Sequence, residues 1–363
     1  MKPELVAFPE GLKLDSGQSL PEFQLAYHRW GELADDGSNA ILLCHTMTSD
    51  ARAGGEAAPG QRPGWWSRAV GPGRLFDTNR YCVVCSNVLG GCGGSTGPSS
   101  PHPEDGRPYG LRFPQVSIQD MVRAQRMLQL HLGIPCWHLV AGGCMGGFQA
   151  LSWSVHFPEA VKNVMAIGCS ARSSSLSLAF FEVLRQSIYL DPGWREGDHY
   201  GHDRCWRGMA LNAMVGTLFW MTPEVMEQRF ARQRVAAAES GGFSREPRFA
   251  LEKFLQQLSQ GAYGQNFDPN TILYTSRACS DFDLHPQDQP LEEVFAEARA
   301  RYLLVSYAND LRYPAEQLEQ LGQALRKAGH QASHHVLSSP LGHGAFLYEP
   351  ELLLPLLRDF LAD

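Results

Sequence analysis

The chain has 363 residues, of which 44% are hydrophobic and 19% are charged, and its formal net charge is −7 at pH 7. This composition is typical of a soluble globular protein with a sizeable core, and the acidic excess argues against a nucleic-acid partner. The sequence has no apolar run long enough to span a membrane and no signal pattern at its start. We therefore expect a cytoplasmic protein without membrane attachment.

The nine cysteines are an odd number in a chain too large to need disulfide bonds for its stability. Cys82 and Cys85 form a CxxC pair, but both fall in a predicted strand, where this spacing sends the two side chains to opposite faces. A buried structural role is therefore favoured over a redox or metal site. We expect no metal ion and a reducing compartment.

Short apolar runs alternate with helical stretches through the first half of the chain, which indicates a mostly parallel sheet with crossover helices. PEFQLAYHRWGEL predicts an early strand, and NAILLCHT, RYCVVCSNVLG, WHLVAGG and VKNVMAIG predict buried strands. Helical spacing predicts a helix over residues 116–132 with Ser117 as its N-cap. A second helix is expected to begin at Met145.

The pattern changes near Ser173. From there to about Ala296 the chain predicts several amphipathic helices and no clear strand, after which RYLLVSYAND and HHVLSSPLGH predict strands separated by the helix PAEQLEQLGQALRKAG. A helical block inserted between sheet strands is typical of a cap over a site at the strands' carboxyl ends. We therefore expect a core made of residues 1–172 and 297–363 and a helical cap over residues 173–296.

The segment LVAGGCMGGFQAL carries the clearest chemical motif. Its residues 142–146 match the nucleophile elbow G-x-S-x-G, with Cys144 in place of the serine. The turn needs glycines beside the nucleophile because a Cβ there would collide with the adjoining strand and helix. Amide groups at the start of a helix also lower the pKa of a thiol and can hold an oxyanion. A chance glycine-rich turn is the alternative interpretation.

The residues that follow favour the catalytic interpretation. An α/β-hydrolase fold orders its triad along the chain as nucleophile, acid and histidine. Asp310 ends a predicted strand, and His343 lies in the loop LGHG after the next one. Each residue alone is compatible with a helix cap or an ordinary loop position. Together they predict an α/β-hydrolase fold, with a mostly parallel central sheet and a helical lid. His343 is then the base for Cys144, and Asp310 orients the imidazole.

The oxyanion of the reaction needs two donors. The backbone N–H of Met145 provides the first in this interpretation. The second is expected from the loop after ILLCH, and we assign it to Met47.

The segments AYHRWGEL, NAILLCHTMTSDA, NVLGGCGGSTGPSS, GGCMGGFQALSW, NDLRYPAEQ and GHGAFLYEP resemble those of the homoserine O-acetyltransferase family, and the likeness covers nearly the whole chain. The resemblance implies a ping-pong acyl transfer without a bound cofactor. Acyl-CoA is the co-substrate that loads the nucleophile under the cap, CoA leaves, and a small-molecule acceptor takes the acyl group. It also implies cytoplasmic homodimers joined through the cap helices.

Four positions depart from the family pattern. The family usually has serine where this chain has Cys144, and its GHDAFL motif has an aspartate where this chain has Gly344. In the cap, Ala213 stands at an arginine that pairs with the homoserine carboxylate, and Trp220 stands at a tyrosine. A zwitterion needs partners for both its charges when it leaves water. We therefore expect an acceptor other than homoserine, less charged or bulkier.

Two further positions are candidates for substrate contacts. Thr48 follows Met47 in the oxyanion loop, and Arg277 in YTSRA matches the family. Arg277 and Arg172 have a structural ion-pair role as the alternative.

The sequence predicts an acyl-CoA-dependent acyltransferase with an acyl-cysteine intermediate, since a thioester keeps the acyl group activated for transfer. Two alternatives remain open. One is a thioesterase or ester hydrolase with the same triad, and the other is a non-catalytic acyl-binding protein. The acyl chain length and the identity of the acceptor also remain open.

Overall fold

A computed structural model describes residues 2–56, 62–202, 206–235, 245–258, 267–286 and 289–362. Its main feature is an eight-stranded sheet with the strand order β1-β2-β4-β3-β5-β6-β7-β8. The strands are β1 (Glu4–Phe8), β2 (Phe23–Trp30), β3 (Ala40–Cys44), β4 (Cys82–Ser86), β5 (Leu139–Gly143), β6 (Asn163–Ile167), β7 (Arg301–Tyr307) and β8 (Ala332–Leu337).

Strand direction divides this sheet into two parts. The pairs β1–β2 and β2–β4 are antiparallel, whereas every pairing from β4 through β8 is parallel. The predicted α/β-hydrolase fold, with its mostly parallel sheet, is therefore confirmed. Two small two-stranded ribbons lie outside the sheet, formed by Leu12–Lys13 with Ser19–Leu20 and by Val70–Gly71 with Phe76–Asp77.

The central strands are short and apolar throughout. All five residues of β3, β4, β5 and β6 are buried, because helices cover both faces of a parallel sheet. Cys82 and Cys85 are buried free thiols in β4, in keeping with a structural role. By contrast, the edge strand β1 buries only two of its residues, Val6 and Phe8.

Helices connect the strands and form the cap. They are α1 (Ile118–His131), α2 (Met145–His156), α3 (Ser175–Tyr189), α4 (Trp206–Trp220), α5 (Pro223–Phe230), α6 (Ala250–Leu258), α7 (Pro269–Ser280), α8 (Leu291–Val294), α9 (Ala315–Lys327), α10 (Ala345–Tyr348) and α11 (Leu354–Ala362), with 3-10 turns at Gly110–Arg112, Pro158–Ala160, Pro192–Gly197, Gly342–Gly344 and Pro350–Leu353. No described helix is long and apolar enough to cross a membrane.

Helix α1 begins as the sequence predicts. The Ser117 hydroxyl accepts a hydrogen bond from the Asp120 backbone N–H at 3.0 Å, and the Asp120 carboxylate accepts one from the Ser117 N–H at 2.9 Å. This reciprocal capping box satisfies two amide groups that a helix start leaves unpaired.

Helices α3 to α8 lie between β6 and β7, and no strand occurs in the described residues of this segment. The segment has its own small apolar cluster, built by α3, α4, α7 and the turn before α4, with the members Ile188, Trp194, Met209, Ile272 and Leu273. Other residues of α7, including Tyr274 and Cys279, join the main core. Helix α7 therefore connects the cap helices to the sheet, and the division at residues 173 and 296 stays a prediction.

The turn from β5 into α2 brings backbone atoms of neighbouring elements into direct contact. A Cβ on Gly146 would lie 2.0 Å from the carbonyl oxygen of Cys44, at the end of β3. A Cβ on Gly142 would lie 2.5 Å from the Gly146 backbone. Only glycine fits at these two positions, because backbone atoms cannot move aside as a flexible side chain can.

We predict that Gly146→Ala destabilises the fold by about 3 kcal/mol or more, since the added methyl group overpacks a site enclosed by backbone. The matched control is Gly216→Ala in α4, where a Cβ meets no atom within 4 Å. That change should be neutral or stabilise by roughly 0.5–1 kcal/mol through helix propensity. Urea denaturation of both variants measures the difference, and equal stabilities would contradict the packing described for Gly146.

Candidate active site

Cys144 lies at the sharp turn between β5 and α2. Its backbone has φ 56° and ψ −123°, a positive φ that few residues other than glycine adopt. Such a conformation costs about 1–3 kcal/mol and persists only where neighbouring structure enforces it. Here the Cys144 N–H donates to the Ile167 carbonyl of β6 at 3.0 Å, and its own carbonyl accepts from Gly147 N–H at 2.9 Å. The segment thus has the elbow geometry that the sequence predicts.

His343 and Asp310 form a hydrogen-bonded pair next to this turn. The Nδ1 atom of His343 is 2.8 Å from Oδ2 of Asp310, and both side chains are fully buried. The other carboxylate oxygen of Asp310 accepts from the backbone N–H groups of Arg312 at 2.8 Å and Tyr313 at 2.9 Å. With Nδ1 donating to the carboxylate, Nε2 remains for a proton transfer, and it makes no hydrogen bond of normal geometry with the described residues.

The side chains of Cys144, His343 and Asp310 interact electrostatically, and this interaction shifts the pKa values of the thiol and the imidazole. Burial favours the neutral thiol, but the neighbouring His343 imidazole outweighs it, helped by the charge of Arg312 and the Met145 N–H, so that the pKa of Cys144 is lowered to about 7. Burial likewise opposes a charged imidazole, but the Asp310 carboxylate raises the pKa of His343 to about 9. A thiolate beside an imidazolium is therefore the favoured state at neutral to mildly alkaline pH.

The loop after β3 is held by His45. Its Nδ1 is 2.7 Å from the Thr46 carbonyl, while Nε2 accepts from the Val88 N–H at 3.1 Å. Burial lowers the pKa of His45, so a neutral ring with its proton on Nδ1 satisfies both contacts. Met47 is buried in this loop and Thr48 is half-buried. The oxyanion role of Met47 and the substrate contact of Thr48 stay predictions.

Two of the positions that depart from the family pattern contact each other and the histidine. The Trp220 indole lies edge-on to the His343 ring with centroids 5.4 Å apart. A Cβ on Gly344 would lie 3.2 Å from Cε3 of Trp220. Ala213 is half-buried seven residues earlier on α4, a spacing that places it on the same helix face as Trp220.

The two candidate arginines lie on α7 and in the segment after β6. Arg277 is an exposed residue of α7. Arg172 forms an ion pair with Asp283 at 3.8 Å. The ion pair of Arg172 agrees with the structural alternative for that residue, and the substrate contact of Arg277 stays a prediction.

Sequence reasoning missed two residues that follow the acid. The Tyr313 hydroxyl is 3.9 Å from the Cys144 sulfur, and its ring lies 5.3 Å from that of His343. The Arg312 side chain is 3% exposed and stacks on Phe180, with its Cζ atom 3.6 Å from the ring centroid. Their only sequence signal is that they lie two and three residues after Asp310. Arginine is usually exposed, so no pattern indicated that Arg312 turns inward.

The described residues contain no group of three or more His, Cys, Asp or Glu side chains that could hold a metal ion.

A family model of the α/β-hydrolase fold matches residues 39–350. The chain is 41% identical over 357 residues to a homoserine O-acetyltransferase of Carboxydothermus hydrogenoformans, covering 98% of this chain and 94% of that protein. It is 40% identical over 353 residues to a homoserine O-acetyltransferase of Solidesulfovibrio magneticus, covering 96% and 89%.

Two solved structures are also similar over nearly their whole length. Homoserine O-acetyltransferase from Bacillus anthracis has a TM-score of 0.90 at 25% identity, covering 100% of this chain and 98% of that one. Esterase E22 has a TM-score of 0.89 at 26% identity, covering 99% of both chains.

We predict that His343→Gln raises the pH at which Cys144 becomes reactive. Wild-type alkylation by iodoacetamide should rise with pH around a midpoint of about 7, because the thiolate is the nucleophile. Without the imidazolium, burial should move this midpoint above about 8.5 and slow labelling at neutral pH by about tenfold or more. Mass spectrometry of the modified protein measures both rates.

The control for this experiment is His156→Gln at the end of α2, a half-buried histidine hydrogen-bonded to Gln119. Its labelling profile should match that of the wild type. An unchanged midpoint in His343→Gln would show that the thiol does not depend on the imidazole.

Proposed function

Because this chain belongs to the homoserine O-acetyltransferase family, within the α/β-hydrolase fold, we propose that it acts as an acyltransferase through an acyl group carried on Cys144. One observation supports the proposal most directly. Cys144 lies at a strained strand-to-helix turn, next to a buried His343 that is hydrogen-bonded to Asp310. The donor in this mechanism is acyl-CoA, and the acceptor is a small molecule.

The first half-reaction loads the enzyme. His343 Nε2 takes the thiol proton, and the thiolate attacks the acyl-CoA carbonyl. Asp310 holds the imidazole in the tautomer that accepts this proton and stabilises the imidazolium that results. The negative charge on the carbonyl oxygen is stabilised by the N–H groups of Met145 and Met47. The intermediate then expels CoA, whose sulfur takes the proton from His343.

The second half-reaction transfers the acyl group. The acceptor gives a proton to His343 Nε2 as it attacks the acyl-cysteine, and collapse of the intermediate regenerates the thiolate. Loading exchanges one thioester for another and is therefore close to reversible, whereas transfer to an alcohol runs downhill. All these steps use the chain's own groups, so we propose no bound cofactor.

The acceptor differs from homoserine in this proposal. The residues that would meet its charges are replaced by Ala213 and Gly344, and Trp220 occupies the space next to position 344. An ammonium group transferred there from water would find no carboxylate at position 344, and such a transfer is unfavourable.

We also propose the cytoplasmic homodimer implied by the family, joined through the cap helices. Several large apolar side chains on α3 and α4 are exposed in the single chain, which is typical of a surface that binds another protein. They are Leu176, Leu178, Val183, Leu211 and Leu218.

A hydrolase is the second candidate, with water as the acceptor. The similarity to esterase E22 favours it, because the same fold and overall shape occur in a protein named for ester hydrolysis.

We predict that intact-protein mass spectrometry after incubation with a panel of acyl-CoAs shows a mass increase on the wild type and none on Cys144→Ala. The variant should fold normally, since it removes one sulfur atom, yet lose all turnover because no other described thiol lies at the elbow. Release of CoA without an adduct would favour the hydrolase. No adduct and no CoA release would point to a non-catalytic acyl-binding protein.

We predict that Ala213→Arg with Gly344→Asp gives only a small gain in homoserine acetylation, because the carboxylate side chain introduced at position 344 would press against the Trp220 indole. Adding Trp220→Tyr should raise kcat/KM for homoserine by a further factor of about ten, as each charge of the zwitterion gains a partner. The rate of homoserine acetylation from acetyl-CoA is measured for the wild type, the double variant and the triple variant. No gain in either variant would contradict the assignment of these positions.

A further inference from the structure

The buried phenol of Tyr313 lies beside the sulfur of Cys144. Tyr313 is 1% exposed, and its hydroxyl oxygen is 3.9 Å from Cys144 Sγ, a long hydrogen bond to the large sulfur atom. Its backbone N–H donates to Asp310 at 2.9 Å, and its ring packs edge-on against Phe148 of α2, with centroids 5.8 Å apart. The position of the hydroxyl is therefore set both by the loop of the acid and by the helix that follows the nucleophile.

The Arg312 guanidinium hydrogen-bonds to the hydroxyl of Tyr313. A guanidinium group has N–H donors and no acceptor, so the phenol oxygen accepts in this contact. A hydroxyl that accepts from a cation becomes a stronger donor through its own O–H, because hydrogen bonds in a chain polarise one another. The O–H of Tyr313 is thus available to the Cys144 sulfur.

The direction of the hydrogen bond between Tyr313 and Cys144 depends on the charge of the sulfur. A neutral thiol can donate to the hydroxyl, whereas a thiolate has no proton and can only accept. Burial and the charge of the Cys144 thiolate raise the pKa of the Tyr313 phenol well above its ordinary value. The phenol therefore keeps its proton when the sulfur loses its own, and a hydrogen bond that it donates to the buried anion is charge-assisted.

Other titratable groups also face the Cys144 sulfur. The His343 imidazole, from the turn after β8, and the Arg312 guanidinium, from the turn after β7, both lower the pKa of the thiol. Cys169, which follows β6, and Cys279 of α7 interact with the charge of the thiolate, but burial raises the pKa of both these thiols well above its ordinary value. They stay neutral and add no charge beside the sulfur.

We propose that Tyr313 is a catalytic residue whose hydroxyl donates a hydrogen bond to the Cys144 sulfur whenever that sulfur is an anion. The sulfur is an anion twice in each reaction cycle, before it attacks and again when the acyl group leaves it. The contact stabilises the thiolate before attack in any reaction of the thiol, and only its effect on the departing sulfur rests on the proposed acyl transfer. Tyr313 keeps its proton throughout and forms no covalent bond.

Tyr313→Phe tests the contact without any acyl transfer, because it removes one oxygen atom and keeps the ring. The rate at which iodoacetamide alkylates Cys144 is measured as a function of pH, and mass spectrometry locates the label. Since the thiolate is the form that reacts, loss of a donor to it should raise the midpoint of the profile and slow labelling about tenfold near neutral pH. Well above both midpoints the thiol is ionised in each protein, and the two rates should converge.

A purely structural role for Tyr313 predicts a different profile, because a displaced or less stable site slows labelling at every pH. The matched control is Tyr302→Phe, which removes the same oxygen atom from a fully buried tyrosine of β7 that packs on Phe295. Its profile should match that of the wild type. The proposal is overturned if the Tyr313→Phe profile superimposes on the wild type, if labelling slows by one factor at all pH values, or if Tyr302→Phe shifts equally.

The effect on the departing sulfur is measured on the acetylated protein. Wild type, Tyr313→Phe and Tyr302→Phe are acetylated with p-nitrophenyl acetate, freed of reagent and mixed with hydroxylamine, and mass spectrometry follows loss of the acetyl group from Cys144. The thiolate leaves in this step, so the loss should be about tenfold slower in Tyr313→Phe and unchanged in Tyr302→Phe. Equal rates in all three proteins would overturn this part of the proposal. If no protein takes up the acetyl group while the alkylation profile shifts, the proposed acyl transfer fails and the hydrogen bond to the thiolate stands.

Discussion

The close approach of backbone atoms at the turn between β5 and α2 determines how this site is built. Cys144 has a positive φ, and the chain around it fits only because Gly142 and Gly146 leave room for the carbonyl of Cys44. The Cys144 N–H is held by Ile167 of the next strand. Three parallel strands thus constrain one residue, and the N-terminal amides of α2 lie beside its sulfur. The strained backbone of Cys144 is thus held by the buried centre of the sheet.

Buried charged groups around this turn favour the thiolate form of Cys144. Asp310 holds His343, which in turn lowers the pKa of the thiol, and Arg312 adds a positive charge from the same loop that supplies the acid. Each of these groups is buried, so each interaction is stronger than it would be in water. A thiol in this environment differs from the structural cysteines of the protein. In Cys85 and Cys169, for example, burial raises the pKa well above its usual value.

Much of this arrangement could be predicted from the sequence. The strands β3 to β6 are continuous apolar runs because both their faces are covered, and the closeness of Cys144, His343 and Asp310 follows from their positions at strand ends. Two kinds of feature could not be predicted. Helix α7 is buried on almost every side, so periodicity gave no sign that Arg277 occupies its exposed position. Arg312 turns inward because aromatic rings of a distant helix stack on it, a contact between segments that no local pattern records.

The contact between Trp220 and position 344 links the cap to the core and has a consequence for how such sequences can change. A side chain at position 344 would press against the indole, because a Cβ there lies 3.2 Å from Cε3 of Trp220. The two positions therefore affect each other's packing, and a residue larger than glycine at position 344 fits more easily where residue 220 is smaller. A smaller residue at position 220, with glycine retained, leaves a void beside the His343 imidazole. Replacing either residue alone therefore gives a less well-packed protein than replacing both together.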